Sequence, residues 1–266
     1  MSDHAISVKN ITKKFGDLTA VDDISFGVPA GSIFAFLGPN GAGKTTTIKM
    51  LTTLLHPTSG TLELNGMDPV KHPHDVRKSF GIVFQDPSLD DELTAYENMF
   101  FHAGLYGLPR AETPKKIEDL MKFVELWDRR DSLVKTFSGG MKRRLEIARG
   151  LLHTPAILFL DEPTTGLDPQ TRNYIWTYLK KLNEERGLTI FFTTHYMEEV
   201  ERIAKEVVIV DHGKIVANDT PVNIVAKNGS VSLEDAFISL TGRVIREEDA
   251  SGIDHLRTMA RRWGRR

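Results

Sequence analysis

The sequence predicts an α/β fold with a P-loop core, and three observations carry that expectation. Gly38-Pro39-Asn40-Gly41-Ala42-Gly43-Lys44-Thr45 fits the phosphate-loop pattern G-x-x-x-x-G-K-[ST]. The apolar run Ile33-Phe34-Ala35-Phe36-Leu37 enters this loop, and Thr46-Thr47-Ile48-Lys49-Met50-Leu51 leaves it as a helix. Residues 156–160 form another continuous apolar run and read as a parallel strand buried on both faces, and residues 188–194 read as a further buried strand.

The loop has a direct chemical meaning. Its glycines let backbone N–H groups turn towards a phosphate, and the helix N-terminus adds about half a positive charge. Lys44 can reach the β- and γ-phosphates, Thr45 can offer its hydroxyl to Mg²⁺, and Thr46 follows at the helix start.

Composition narrows the class. The 266 residues suffice for one large or two small domains, and the 40% hydrophobic and 26% charged content is that of a globular protein. A net charge of −2 gives no reason to expect nucleic acid as the main partner. The absence of cysteine excludes a disulfide framework, thiolate metal sites and a cysteine nucleophile. No apolar run approaches the ~18–20 residues that span a bilayer. Met1-Ser2-Asp3-His4 lacks the features of a signal peptide. The expectation is a soluble, cytoplasmic chain.

Taken in order, Ile6-Ser7-Val8 and Ile24-Ser25-Phe26-Gly27-Val28 have the period of strands, and Pro29-Ala30-Gly31 is a turn. Phe15 has two readings, a core residue or a platform on which a base stacks. The helix after the loop is expected to run to His56-Pro57, where proline stops it. Thr61-Leu62-Glu63-Leu64 followed by Asn65-Gly66 reads as a strand and tight turn. Phe80-Gly81-Ile82-Val83-Phe84 is another strand with Gln85 at its C-terminal end, where ligands of α/β sheets gather.

Residues from about 86 to 150 read as a helical insertion. Thr94-Ala95-Tyr96-Glu97 is a capping box that starts a helix at Ala95. Thr113-Pro114 marks another start, and Ile117, Leu120, Met121 and Val124 form its apolar stripe. Ser138-Gly139-Gly140 is an N-cap with unobstructed N–H groups, ahead of a helix with a basic face. It is a second anion-binding helix terminus, although one γ-phosphate needs only one.

Asp161-Glu162 closes the apolar strand Ala156-Ile157-Leu158-Phe159-Leu160. Adjacent carboxylates there repel unless a cation joins them. Mg²⁺ makes sense of the pair, with Asp161 on the metal and Glu162 facing the attacking water. Asp168-Pro169 caps a helix whose stripe includes Ile175, Leu179 and Leu182 and which ends at Gly187. His195 ends the next strand at the same sheet edge, in reach of a γ-phosphate. Residues 206–210 and 214–217 form a hairpin through Asp211-His212-Gly213. Beyond Thr220-Pro221 the pattern weakens to one amphipathic helix containing Leu233, Ala236, Phe237 and Leu240. The chain ends in Arg261-Arg262-Trp263-Gly264-Arg265-Arg266, read as a disordered tail, with contact to anionic lipid as the minority alternative.

This set of motifs resembles the ATP-binding-cassette (ABC) ATPases over about residues 4–220. Residues 38–45 look like Walker A, residues 157–161 like Walker B, and Ser138-Gly139-Gly140 like the signature loop. Gln85 falls at the Q-loop, Asp168 at the D-loop, Glu162 at the catalytic carboxylate, His195 at the switch histidine and Phe15 at the adenine-stacking position. Met141 and Phe137 depart from the usual signature residues, without removing its serine and glycine amides.

The resemblance implies a P-loop core with an N-terminal antiparallel β subdomain and an inserted helical subdomain, in an ATPase domain over residues 1–220. Residues 221–266 then form a short extension, like that of daunorubicin-resistance-type drug exporters. It further implies ATP and Mg²⁺ as ligands, Gln85 as a further contact to metal and γ-phosphate, and a head-to-tail pair of cassettes. The second cassette is another copy or a relative of this chain, and an integral membrane permease couples hydrolysis to transport at the cytoplasmic face.

Overall fold

The computed structural model describes residues 4–86 and 88–242. Strands β1 (His4–Phe15) and β2 (Leu18–Pro29) pair antiparallel around a tight turn at Gly16-Asp17. Gly16 adopts φ 57°, a conformation that costs glycine little. Both strands are longer than the alternating runs at 6–8 and 24–28 suggest, because register shifts break the period between Val8 and Lys14.

Strand β3 (Ile33–Leu37) is buried at every residue and leads into the phosphate loop and helix α1 (Lys44–Leu51). That helix stops well short of His56-Pro57. Thr53 turns to φ 64°, and the N–H groups of Leu54 and Leu55 return to the Lys49 carbonyl at 2.8 and 3.0 Å. That left-handed turn closes the helix before proline is reached.

Next come β4 (Ser59–Leu64), α2 (Pro73–Ser79) and β5 (Phe80–Val83). Helix α3 (Ala95–Leu105) starts where the capping box places it, with reciprocal hydrogen bonds between Thr94 and Glu97. Helix α4 (Thr113–Phe123) starts one residue early, at the expected cap itself, and Glu112 takes the cap position. Thr113 is buried inside its first turn and donates its hydroxyl to the Pro109 carbonyl at 2.9 Å, so it does not serve as the cap. Single 3-10 turns at Trp127–Arg129 and Val134–Thr136 lead to α5 (Gly139–Gly150).

The remainder comprises β6 (Ile157–Leu160), α6 (Pro169–Arg186), β7 (Thr189–Phe192), α7 (Met197–Ile203), β8 (Glu206–Asp211), β9 (Lys214–Asp219), α8 (Pro221–Lys227) and α9 (Leu233–Thr241). Gly187 closes α6 at φ 64°. The basic residues 261–266 lie outside the described residues.

Two sheets result. One has the order β2-β1-β4 and is antiparallel; the other has the order β5-β6-β7-β3-β8-β9. In the second sheet β5, β6, β7, β3 and β8 run parallel, and β9 returns antiparallel. Its parallel strands bury both faces, whereas β9 at the edge buries neither. Phe34, Phe36, Phe159 and Phe191 point into a core shared with Ile6, Ile11, Phe26 and Val28 of the antiparallel sheet. Ala35, Leu37, Leu158, Leu160 and Phe192 point the other way, into a core shared with the helices. Helices α8 and α9 add Ile224, Leu233 and Ala236 to that second core. Among the described residues no helix is long and apolar enough to cross a membrane.

This layering decides where chemistry can occur. The parallel strands β3, β5, β6 and β7 all end on one edge, so the phosphate loop, Gln85, Asp161-Glu162 and His195 arrive together.

Candidate functional site

A cleft of about 820 Å³ opens at that edge. Its lining includes Phe15, Asn40, Gly41, Ala42, Gly43, Lys44, Thr45, Thr46, Gln85, Asp161, Glu162 and His195, together with Leu18 and Ala20. Phe15 is half exposed at the end of β1, with the Lys13 ammonium 5.0 Å from its ring centre, which removes the core reading.

Close packing dictates two of the loop's glycines, Gly38 and Gly43. A side chain at Gly38 would meet the Val210 carbonyl at 2.4 Å. Gly43 has φ 102°, and a Cβ there would lie 2.5 Å from the Ala20 carbonyl. Gly43 also occupies the N-cap of α1 without a side-chain hydrogen bond, so no side chain competes for the first N–H groups of that helix. Lys44 is buried and folds back on the loop, donating to the carbonyls of Gly38 at 2.7 Å and Pro39 at 3.1 Å. Burial lowers its pKa, while Glu162 and Asp161 act in the opposite sense.

The two carboxylates avoid mutual repulsion by taking different partners. Asp161 Oδ1 accepts the Thr193 hydroxyl at 2.6 Å, and the Thr193 oxygen accepts the Glu162 N–H at 3.0 Å. Glu162 Oε1 lies 2.6 Å from His195 Nε2, and Oε2 accepts the Thr165 hydroxyl at 3.2 Å. The His195 hydrogen bond, more than any other influence, holds the Glu162 carboxyl below its ordinary range, against the opposing effect of burial. Glu162 also sits at φ 47°, a left-handed conformation that costs a residue with a Cβ about 1–3 kcal/mol.

Other candidates lie outside the cleft. Ser138 caps α5, accepting the Met141 N–H at 3.3 Å. Gly139 borders a separate hollow of about 150 Å³ with Gln85, Glu162, Thr165 and Leu167. Gly140 packs so closely that a Cβ would lie 2.6 Å from Thr171 Cγ2. Asp168 caps α6 through the N–H groups of Gln170 and Thr171, both at 3.0 Å, and through the Thr171 hydroxyl, which holds its carboxyl low. Ser138, Gly139, Gly140 and Asp168 thus stand outside the lining of the cleft, while the hollow and the cleft share Gln85 and Glu162.

Sequence reasoning missed four participants. Thr193 bridges the carboxylates, and Thr165 holds Glu162. Arg143 and Glu146, read only as part of a helix with a basic face, are buried beside the site. Their signal was a cation and an anion three residues apart among Leu145, Ile147 and Ala148.

A nucleotide and its metal fit this chemistry. The cleft combines a buried ammonium, an uncapped helix start and an exposed aromatic ring. Among the described residues no group of three or more His, Cys, Asp or Glu side chains could hold a metal alone. The donors present, Thr45 and Asp161, match Mg²⁺, which takes few protein ligands and completes its shell with phosphate oxygens and water.

Comparison with known proteins agrees. A family model described as ABC transporter matches residues 21–165. The chain is 43% identical over 220 residues to the Nod factor export ATP-binding protein I of Ralstonia nicotianae, covering 83% of this chain and 68% of that protein. It is 41% identical to the daunorubicin/doxorubicin resistance ATP-binding protein DrrA of Streptomyces peucetius, covering 85% and 68%. With the linearmycin resistance ATP-binding protein LnrL of Bacillus subtilis the identity is 40%, covering 91% and 76%.

Among solved structures, an ATP-binding subunit of an ABC transporter superposes with TM-score 0.81 at 30% identity, covering 90% of this chain and all of that one. A dimeric ATP-binding cassette in a post-hydrolysis state, bound to ADP and Pi, superposes with TM-score 0.72 at 29% identity, covering 81% and 98%. Fold, cleft and sequence converge: this chain belongs to the ABC transporter family as its ATP-hydrolysing subunit, a kind of subunit that dimerises and works with a membrane permease.

Proposed function

We propose that this chain powers an exporter from the cytoplasmic face of the membrane, with Glu162 as general base and His195 as the contact to the γ-phosphate. The observation that carries the reading is the 2.6 Å pairing of Glu162 with His195 beside the buried Lys44. Export is supported by the relatives that act in Nod factor export and in resistance to daunorubicin and linearmycin.

Each residue has a defined task. Lys44 and the N–H groups of residues 40–46 hold the β- and γ-phosphates, and Phe15 stacks on the adenine. Thr45, Asp161 and Gln85 hold Mg²⁺, which would neutralise charge on the phosphates when bound. In this geometry Glu162 is ionised but a weak base, because His195 stabilises its charge. The His195 side chain is 45% exposed and has room to turn. When it moves its hydrogen bond to a phosphate oxygen, burial becomes the dominant influence on Glu162. Burial raises a carboxyl's pKa, so the loss of the His195 hydrogen bond makes Glu162 a stronger base.

Ser138, Gly139, Gly140 and Asp168 complete the site of a second subunit, head to tail. Their position outside this chain's own cleft supports that assignment. One set of motifs per chain fits a homodimer, and the helices around 86–150, with Gln85, carry the contact to the permease. No nucleic-acid partner is needed. The membrane subunit selects the cargo.

Glu162→Gln tests the reading. ATP turnover should fall by about 10²–10⁴ while nucleotide affinity is kept, as for loss of a general base. Turnover at the parent rate would refute the role of Glu162.

A further inference from the structure

Helix α5 contains a buried cation to which the hydrolytic chemistry above assigns no task. Arg143 is 7% exposed, and an unpaired guanidinium taken from water carries a penalty that only thorough hydrogen bonding offsets. A guanidinium has five N–H donors, and here every one has an acceptor. Nε donates to the Pro163 carbonyl at 2.7 Å. Nη1 donates to the Phe84 carbonyl at 2.6 Å and to Glu146 Oε2 at 3.2 Å. Nη2 donates to the carbonyls of Asp161 and Glu162, both at 2.9 Å.

The acceptors lie on two turns that matter. Phe84 directly precedes Gln85, and the other three carbonyls belong to the Asp161-Glu162-Pro163 turn. Glu146, itself buried, reaches further along the first turn, where its Oε1 accepts the Ser88 N–H at 2.7 Å. The pair therefore grips the Gln85 turn on both sides. Glu162, at φ 47°, is held at its carbonyl by Arg143 and at its N–H by Thr193. A strained residue persists only where its surroundings over-determine it.

We propose that Arg143 and Glu146 are positioning residues that lock the Gln85 turn, the Glu162 turn and the helix bearing Ser138-Gly139-Gly140 into one rigid unit, which aims Glu162 at the attacking water. The proposal rests on the reading of Glu162 as general base. An ordinary buried ion pair would contribute stability alone and could be exchanged for apolar residues with little loss. A positioning pair could not, and lysine could not serve for Arg143, because three donors at one point cannot span five separate acceptors.

The test compares R143K, R143M/E146L and E162Q with the parent, each as the full chain. Steady-state kcat and KM are measured with Mg²⁺ and ATP, and affinity by titration with a fluorescent ATP analogue. R143K keeps the charge that Glu146 requires, and R143M/E146L removes both charges at similar volume. Expected is a kcat fall of about 10- to 100-fold in both, the scale of a misplaced catalytic group, with nucleotide affinity within about threefold of the parent.

The kcat comparison is made on whichever variant keeps nucleotide binding. A kcat fall smaller than about tenfold, with E162Q inactive, overturns the proposal and leaves the role of Glu162 standing. Loss of nucleotide binding in both variants also overturns it, because the pair would then serve the whole fold. E162Q turning over at the parent rate removes the reading of Glu162 and this proposal with it.

Discussion

Replacing Thr193 with valine should destabilise this protein by about 2–5 kcal/mol although the side chain keeps its shape. Thr193 is fully buried just beyond the end of β7. Its hydroxyl donates to Asp161 Oδ1 at 2.6 Å and accepts the Glu162 N–H at 3.0 Å. Valine removes the hydroxyl partner of both groups, at about 1–3 kcal/mol each and more for the charged one. For a chain of this size each kcal/mol moves Tm by about 2–4 °C, so a fall on the order of 10 °C is expected. Serine is the control. It restores both hydrogen bonds and loses one buried methyl, worth about 1 kcal/mol. Thermal and urea unfolding of the full chain, followed by circular dichroism without nucleotide, should rank the proteins parent, serine, valine. A valine variant within about 0.5 kcal/mol of the parent, or a serine variant less stable than valine, would refute the bridge as the reason for threonine here.

Two further outcomes follow from packing and from titration. Gly81→Ala should cost about 1–3 kcal/mol, because a Cβ on β5 would lie 2.2 Å from the Gly150 carbonyl at the end of α5 and neither backbone can yield cheaply; an unchanged urea midpoint would contradict that contact. Acid should weaken the fold through His102, whose pKa is lowered to about 4, first by burial and then by Arg149 and His153. The unfolded chain keeps an ordinary histidine near 6.5, so between those two values it binds a proton that the folded chain refuses. Stability present above pH 6.5 is then lost as pH falls towards 4, by up to about 3 kcal/mol. His102→Gln should flatten that part of a urea-midpoint profile, and an unaltered slope would exclude His102 as its source.

How much of this was legible in the sequence depended on whether the information was local. The phosphate loop was legible because one short segment contains the strand, the glycines and the lysine, and backbone geometry leaves those glycines no substitute. Gln85, Asp161, Glu162 and His195 were legible as strand ends, since continuous apolar runs mark parallel strands and parallel strands share an edge. Helices α2, α7 and α8 were not, because seven residues make fewer than two turns and cannot show a 3.6-residue period. Thr193 was invisible for a different reason. A threonine at the end of a β-strand satisfies strand propensity whether or not its hydroxyl bridges two carboxylates.

Arg143 is the instructive case, because part of its signal was present. Lys142-Arg143-Arg144 looks like a solvated basic face, yet three successive helical residues spread over about 200° of the helix, so they cannot all share one side. Which of them turns inward is decided by how α5 packs against β5, and that is tertiary information. The local clue was Glu146, an acid set among Leu145, Ile147 and Ala148, which are all buried. A carboxylate inside an apolar stripe needs a cation within reach, and residues three apart on a helix are neighbours. That Glu146 needs a basic partner three or four residues away could therefore be inferred from the helix alone. The four carbonyls that give the pair its task could not, because they come from turns some 20 and 60 residues away in the chain.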